Sequence, residues 1–250
     1  MKARRFVLWF FLVVAVLASC AGGSTSGKKE KALGVEEHFE LAYRAADRGN
    51  LDEAIAEYKE VLRLDPKNAN AHLNLGIVYG RRGSWKEETA EYKKAISINP
   101  KLAAAYFNLG VAYGERGDLK EAMANYQKAV QINPDYVEAH NNLGNLYFRQ
   151  GKYEDALSEY KKTVEIKSDY ARGYYNLGNV YRQEKKLDEA IEAFKRAVEI
   201  NPKYGDAHYH LALIYFEQKE YDVAVKYCDQ AVKTGANVDP RFLERLKPYR

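Results

Sequence analysis

This sequence contains little cysteine and little proline, and it has no large excess of one charge. Its 250 residues include only two cysteines, Cys20 and Cys228, which excludes a disulfide-rich scaffold and a four-cysteine zinc site. Six prolines and 46% hydrophobic residues exclude a disordered or collagen-like chain. Most of the net charge of +4 comes from Lys2, Arg4 and Arg5, in a segment that we predict is removed. Nucleic acid is therefore not predicted as a partner.

Catalytic and metal-binding motifs are also missing. The sequence has no glycine-rich phosphate loop, nucleophile elbow, HExxH or CxxC pattern. Four of its five histidines share one phase of the repeat described below, at a core-facing position where tyrosines also occur: His38, His72, His140 and His208. We interpret them as packed rings rather than metal ligands. The prediction is a non-catalytic protein with no cofactor and no metal.

The amino terminus has the pattern of a secretory signal. Basic residues precede an apolar run from Phe6 to Ala18. At about 1.5 Å per residue this run is shorter than the ~30 Å hydrocarbon core of a bilayer. It ends in Leu-Ala-Ser-Cys at residues 17–20, which resembles the bacterial lipobox. The resemblance implies a signal peptide of residues 1–19 and lipidation of Cys20; the alternative is a plain secretory signal with a chance cysteine.

A lipidated Cys20 predicts a protein anchored to a membrane of the bacterial cell envelope. The residue after it is Ala21 rather than aspartate, which favours the outer membrane, on its periplasmic side, in a Gram-negative bacterium. Residues 20–34 are rich in glycine, serine and lysine and have no apolar period. They predict a flexible tether.

A 34-residue period fills residues 35–238. The pattern NLGxxY begins at four asparagines, each 34 residues after the previous one. The period defines six units: 35–68, 69–102, 103–136, 137–170, 171–204 and 205–238. Leucine stands at position 7 of every unit and a small residue at position 8, with tyrosine at position 11 in five of the six. A single unit cannot bury its own apolar faces, so the units must stack.

These phased residues resemble the tetratricopeptide repeat (TPR) family. The resemblance implies an all-α fold, an α-solenoid in which six helix-turn-helix units stack into a right-handed superhelix. Independently, apolar residues at positions 4, 7, 8 and 11 and at 17, 20, 24 and 27 predict two amphipathic helices per unit. Residues 239–250 carry apolar residues among charges, with Pro240 near their start, and predict a capping helix. Glu88 occupies the small-residue position 20, and we expect its carboxylate to reach solvent or a lysine.

The resemblance also implies that first helices line a concave groove, the usual binding surface of such arrays. Position 6, predicted to face this groove, is asparagine in four consecutive units: Asn74, Asn108, Asn142 and Asn176. Amides donate and accept hydrogen bonds, as an extended peptide backbone requires. A similar ladder occurs in the peptide-binding region of O-GlcNAc transferases. The alternative is that asparagine is merely frequent at this position.

Other residues predicted to face the groove change in character along the array. Units one to three contribute apolar side chains at positions 5 and 9: Phe39, Tyr43, Leu73, Ile77, Phe107 and Val111. Units four and five contribute polar ones, Asn145, Asn179 and Arg149. We predict that the groove holds an extended peptide, with its apolar side chains in units one to three. Packing between first helices is the alternative for each apolar residue. Charges alternate in sign at positions 2 and 13, so recognition of an acidic carboxy terminus is not predicted.

Together these features predict a membrane-anchored scaffold that binds a protein or peptide, in envelope assembly or secretion. Its layout is similar to that of TPR lipoproteins that assist pilus secretin assembly and of those that recruit cell-wall hydrolases, and both pathways stay open. The alternative is a structural envelope protein that self-associates as a homo-oligomer.

Overall fold

The computed structural model describes residues 33–250, and this part of the chain forms thirteen α-helices and no strand. The helices are α1 Val35–Arg48, α2 Leu51–Leu64, α3 Ala69–Arg82, α4 Trp85–Ile98, α5 Ala103–Arg116, α6 Leu119–Ile132, α7 Val137–Arg149, α8 Tyr153–Ile166, α9 Ala171–Gln183, α10 Leu187–Ile200, α11 Gly205–Glu217, α12 Tyr221–Lys233 and α13 Pro240–Leu246. A short 3-10 helix, Lys247–Tyr249, follows. None of the helices in residues 33–250 is long and apolar enough to cross a bilayer. The predicted signal peptide, Cys20 and the tether as far as residue 32 lie outside the described residues.

The helices pack as six consecutive pairs. The odd-numbered helices α1 to α11 are the first helices of the units, and the even-numbered helices α2 to α12 are the second helices. Each second helix also packs on the next first helix. First helices touch one another across units, α3 with α5 and α7 with α9; the surface that they form is called the inner face below. The predicted fold class, an all-α solenoid of paired helices, is confirmed.

Each pair turns at a residue in the left-handed backbone region. Glycine fills this place in the first four units, and the structure gives it φ values of 73° to 86°. Lys185 and Lys219 take the same place in units five and six with φ values of 59° and 66°. The left-handed region disfavours side chains with a Cβ atom, so the turn geometry is kept even where the residue does not suit it. This place is position 15 of each unit, where the recurring glycine or lysine in the sequence predicts the turn between the two helices, and the prediction is confirmed.

A glycine at position 8 lets the two helices of a pair approach closely. In α5, a Cβ atom on Gly110 would lie 2.8 Å from the ring of Tyr126 and 3.2 Å from the carbonyl oxygen of Ala122. Gly76, Gly144 and Gly178 meet an aromatic ring at position 24 in the same way. The flat ring therefore packs directly on the backbone of the first helix, which fixes the spacing within the pair.

We predict that Gly110→Ala destabilises the protein by about 1–3 kcal/mol, because the added methyl group must displace the ring of Tyr126. Gly114→Ala, one turn later in α5, is the matched control. Its Cβ atom would lie 3.6 Å from the Tyr126 hydroxyl, an ordinary contact, so it should be neutral or stabilise by up to about 1 kcal/mol through helix propensity. Urea unfolding, monitored by circular dichroism, measures the free energy of unfolding of both variants. Equal effects of the two substitutions would contradict this packing.

Glu88 was expected to reach solvent or a lysine, and the first of these alternatives was wrong. Its side chain is 4% exposed and lies in α4 against the backbone of Gly80, where a Cβ atom would collide with the carboxylate. The Tyr92 hydroxyl donates a hydrogen bond to Oε1 of Glu88 at 3.3 Å. A glycine on the facing helix thus provides the space that a small residue at position 20 provides in the other units.

The last pair is covered by the predicted capping helix, which is confirmed as α13. Pro240 is its first residue, and the Asp239 side chain accepts a hydrogen bond from the backbone of Arg241 at 2.9 Å. Phe242 and Leu246 are buried against the final unit. The cap removes from water the apolar side that the last pair would otherwise expose.

Candidate binding face

Side chains of neighbouring first helices meet on the inner face. The Asn176 amide donates to Oδ1 of Asn141 at 2.8 Å, and Arg182 contacts His210 at 2.9 Å. These residues occupy positions 5, 6 and 12 of their units. Contacts at these positions bring the side chains of α7, α9 and α11 together on this face.

The asparagines at position 6 of units two to five are called the row below, and all four are half-buried: Asn74, Asn108, Asn142 and Asn176. Their amide groups differ in what they contact. Asn74 lies near the Tyr58 hydroxyl. Asn108 donates to the carbonyl oxygen of Ala104 in its own helix at 2.8 Å. Asn142 receives a long contact of 3.5 Å from Asn141 through its Oδ1 atom, while its own amide nitrogen has no acceptor within residues 33–250. The row is therefore a set of four partly engaged amides rather than four equivalent free ones.

Asn176 belongs to an amide cluster that joins units four and five, formed by Asn141, Asn142, Asn145 and Asn176. The Asn176 amide nitrogen also lies 3.3 Å from Oδ1 of Asn145, which accepts from the Tyr160 hydroxyl at 2.8 Å. Asn141 is only 1% exposed. The sequence shows it as the one polar residue at position 5, which is otherwise apolar or aromatic, but its burial and its bond to Asn176 were not predicted. A buried amide must be hydrogen-bonded, so the cluster fixes how α7 and α9 meet.

The apolar residues predicted for units one to three are unequally available. Tyr43 is 52% exposed, whereas Leu73 is 9% exposed and packs in the core with Tyr92. The ring of Phe107 lies 4.9 Å from that of Tyr136. The remaining members are half-buried: Phe39, Ile77 and Val111. The open apolar surface is therefore narrower than the sequence pattern alone indicates.

Among the polar residues predicted to face the groove, Asn179 lies near Tyr175, and Arg149 is exposed at the end of α7. In unit six, His210 takes the place of the row asparagine. Its Nδ1 atom lies 2.9 Å from a guanidinium nitrogen of Arg182, and its Nε2 atom lies 3.3 Å from the Tyr175 hydroxyl. Its ring stacks on Phe194 at 5.1 Å. Burial, and then the nearby Arg182 charge, lower the pKa of His210 to about 4, so the ring is neutral at physiological pH.

Three other histidines each contact a glutamate, an interaction that sequence reasoning missed. In each case the Nδ1 atom of the histidine lies within hydrogen-bond distance of a glutamate on the second helix of the same unit. The pairs are His38–Glu57 (2.6 Å), His72–Glu91 (2.5 Å) and His140–Glu159 (2.6 Å). In His140, Nε2 also points at the carbonyl oxygen of Pro134 at 2.8 Å. Both ring nitrogens of His140 face acceptors. When Glu159 is ionised, each of these two nitrogens must therefore carry a proton.

These pairs can be recognised in the sequence when the residue at position 4 of each unit is compared with the residue at position 23. Each histidine that pairs has glutamate at position 23 of its unit, whereas His208 has Tyr227 there. His208 also contacts a proline carbonyl, that of Pro202 at 3.0 Å. Its Nδ1 atom has no partner in the described part of the chain. Histidines at one repeat position thus have different partners according to a single residue on the facing helix.

We predict a pH-dependent contribution from the His140–Glu159 pair. The hydrogen bond that His140 donates to the Glu159 carboxylate raises the pKa of His140. Burial lowers this pKa, the Pro134 carbonyl and the Glu159 charge raise it, and the Lys162 charge lowers it. A raised histidine pKa gives stability that is complete below about pH 6.5 and is lost as pH rises through the folded-state value. Glu159→Gln should therefore cost about 1.5–3 kcal/mol at pH 6 and less at pH 8.

The free energy of unfolding, measured by urea denaturation between pH 6 and pH 8, tests this prediction. Glu154→Gln, an exposed position on the same helix α8, is the control and should shift stability equally at every pH. A Glu159→Gln effect that stays constant or grows with pH would contradict the ion pair.

No group of three or more histidine, cysteine, aspartate or glutamate side chains within residues 33–250 could hold a metal ion. The His–Glu pairs provide two ligands each, and both are occupied with one another. Their arrangement serves to join the two helices of a unit.

Family models for TPR repeats match most of the chain. One TPR repeat model matches residues 42–83, 81–115 and 113–151, and two tetratricopeptide repeat models match residues 135–203 and 175–239. The chain therefore belongs to the tetratricopeptide repeat family. A search of curated proteins found no match.

Solved structures with the same fold agree with this assignment. A crystal structure of MamA is 30% identical with a TM-score of 0.59, and the match covers 69% of this chain and 94% of MamA. The structure of pilF from Pseudomonas aeruginosa is 26% identical with a TM-score of 0.65, over 72% of this chain and 83% of that one. YrrB, described as a TPR protein with an unusual peptide-binding site, is 21% identical with a TM-score of 0.64 over 76% and 97%, and shows the fold alone. Family and fold together indicate a protein–protein interaction scaffold.

Proposed function

We propose that the inner face binds an extended segment of a partner protein and that this binding, without catalysis, is the function of the chain. The observation that carries the proposal is the continuous surface of first helices on which amide groups recur at one position in four units. A bound backbone offers both N–H and C=O groups, and an asparagine amide can satisfy either. The exposed Tyr43 and the half-buried apolar residues nearby offer contacts for side chains.

The asparagines differ in how readily they could serve such a backbone. Asn142 has an amide nitrogen without an acceptor in residues 33–250, and the bond from Asn108 to its own helix leaves its Oδ1 atom and a second N–H. Asn176 already donates to two neighbours. We therefore assign the principal backbone contacts to Asn108 and Asn142, and a supporting role to Asn176.

Replacing Asn108 and Asn142 together by alanine should weaken the binding of a peptide selected on this protein by about tenfold or more, since each lost hydrogen bond costs about 0.5–1.5 kcal/mol. Random peptides displayed on phage supply the ligand, and fluorescence anisotropy measures its dissociation constant. Asn125→Ala is the matched control, because Asn125 makes the same bond to its own helix, with Glu121 at 2.8 Å, but lies on a second helix.

An unchanged dissociation constant for the double variant, or an equal loss for Asn125→Ala, would contradict backbone recognition by the row. Failure to select any binding peptide, together with a molecular mass that rises with protein concentration in light scattering, would favour the self-associating alternative.

We further propose that Cys20 attaches this scaffold to a membrane of the bacterial envelope, the outer membrane on its periplasmic side in a Gram-negative cell. The support is the basic, apolar and small-residue pattern that ends at Cys20. Several acyl chains on one residue give stable anchoring, at about 0.8 kcal/mol for each buried methylene group. A scaffold held there would bring its partner to the bilayer surface, for envelope assembly or secretion.

Metabolic labelling with radioactive palmitate in a bacterial host tests the anchor. The wild-type chain should incorporate label and fractionate with membranes, and Cys20→Ala should lose both properties. Cys228→Ala is the control, because the only other cysteine is fully buried in the last unit and should not change labelling. Label that persists in Cys20→Ala would refute lipidation at this residue.

A further inference from the structure

One arginine on the inner face is oriented by a group that does not neutralise it. Arg182 lies in the last turn of α9, and a guanidinium nitrogen of its side chain lies 2.9 Å from Nδ1 of His210 on α11. Since a guanidinium group only donates, Nδ1 must be the acceptor, and the ring proton is on Nε2. That N–H points towards the Tyr175 hydroxyl at 3.3 Å. The low pKa of His210, about 4, keeps it a neutral acceptor at physiological pH.

Arg182 is half-buried and yet has no carboxylate partner within 4.0 Å in the described part of the chain. Some arginines of this part do have one, such as Arg44 with Glu40 and Arg63 with Glu60, at 2.9 and 2.7 Å. The guanidinium presents five N–H donors in a planar fork, and His210 uses one. The Arg182 guanidinium is thus partly removed from water and has no carboxylate partner here. A carboxylate would complement it, because the two groups can form two parallel hydrogen bonds.

The His210 ring is itself held firmly. It stacks on Phe194 at 5.1 Å with an interplanar angle of 18°, and on Tyr209 at 6.3 Å with an angle of 17°. A fixed acceptor restricts the rotamers of Arg182 and so lowers the entropy that binding must remove. Unit six therefore has a fixed ring at the position where the four preceding units have an asparagine.

We propose that Arg182 binds the side-chain carboxylate of an aspartate or glutamate in the bound segment, and that His210 is the residue that positions Arg182. The inference rests on the proposed function, and it adds the chemistry of the partner at the unit-five and unit-six end of the inner face. The bound segment thus places an acidic residue beyond the part of its backbone that reaches Asn142.

The test uses random peptides displayed as internal segments, so that they carry no free carboxy terminus, and selected on the full chain. Selected sequences should share an acidic residue. Changing it to its amide, Glu to Gln or Asp to Asn, in the tightest synthetic peptide should weaken binding to the wild-type protein by about tenfold or more. In Arg182→Gln the same change should alter binding less than about twofold.

Two further variants separate the roles of the residues. Arg63→Gln, on the second helix of unit one, is the control and should keep the full preference for the acidic peptide. His210→Phe retains the stacked ring and the Arg182 charge but lacks the acceptor. It should weaken binding of the acidic peptide several-fold and leave binding of the amide analogue unchanged, a selectivity that a merely structural change would not produce.

Selected peptides without an acidic residue, or an acidic preference that survives in Arg182→Gln, would overturn the inference while leaving groove binding intact. An amide analogue that regains full affinity when its terminus is a free carboxylate would overturn the side chain as the source. If no peptide binds at all, the proposed function fails, and this inference fails with it.

Discussion

The close contact between a glycine backbone and an aromatic ring sets the spacing of the two helices in most units. In four of the six units, a glycine at position 8 lies under the aromatic ring at position 24. The ring cannot approach so closely over any larger residue, so the two helices of these four pairs pack at close range. Each second helix also packs on the next first helix, and first helices of neighbouring units come into contact. The inner face therefore depends on a contact that is repeated along the middle of the array.

A uniform framework allows the inner face to vary freely from unit to unit. Units one to three present mostly apolar side chains, units four and five the amide cluster, and units five and six the Arg182–His210 pair. Positions 7, 8 and 24 scarcely change over the same span. Packing and recognition are therefore carried by different faces of the same helices, which is how a repeated fold can acquire a specific surface without loss of stability.

The sequence was sufficient for the parts of the structure that depend on one position at a time. The 34-residue period placed the helices, the turn at position 15 and the cap at Pro240, because a periodic apolar pattern and turn residues act locally. It failed for features that depend on two positions in different helices. The His140–Glu159 pair joins positions 4 and 23, and Asn176 reaches Asn141 in the preceding unit. Glu88 was misjudged for the same reason, since the space it fills is left by Gly80.

The partnership of Gly80 and Glu88 has a consequence for the exchangeability of the units. Glycine stands at position 12 in units two and three only, whereas Phe148, Arg182 and Phe216 occupy it later in the chain. A carboxylate at position 20 fits beside glycine, while beside a phenylalanine ring it would have neither space nor a polar neighbour. Shuffling or duplicating modules of this solenoid must therefore transfer both members of the pair together. A side chain added at Gly80 would collide with the Glu88 carboxylate, so a substitution at either site is constrained by the other.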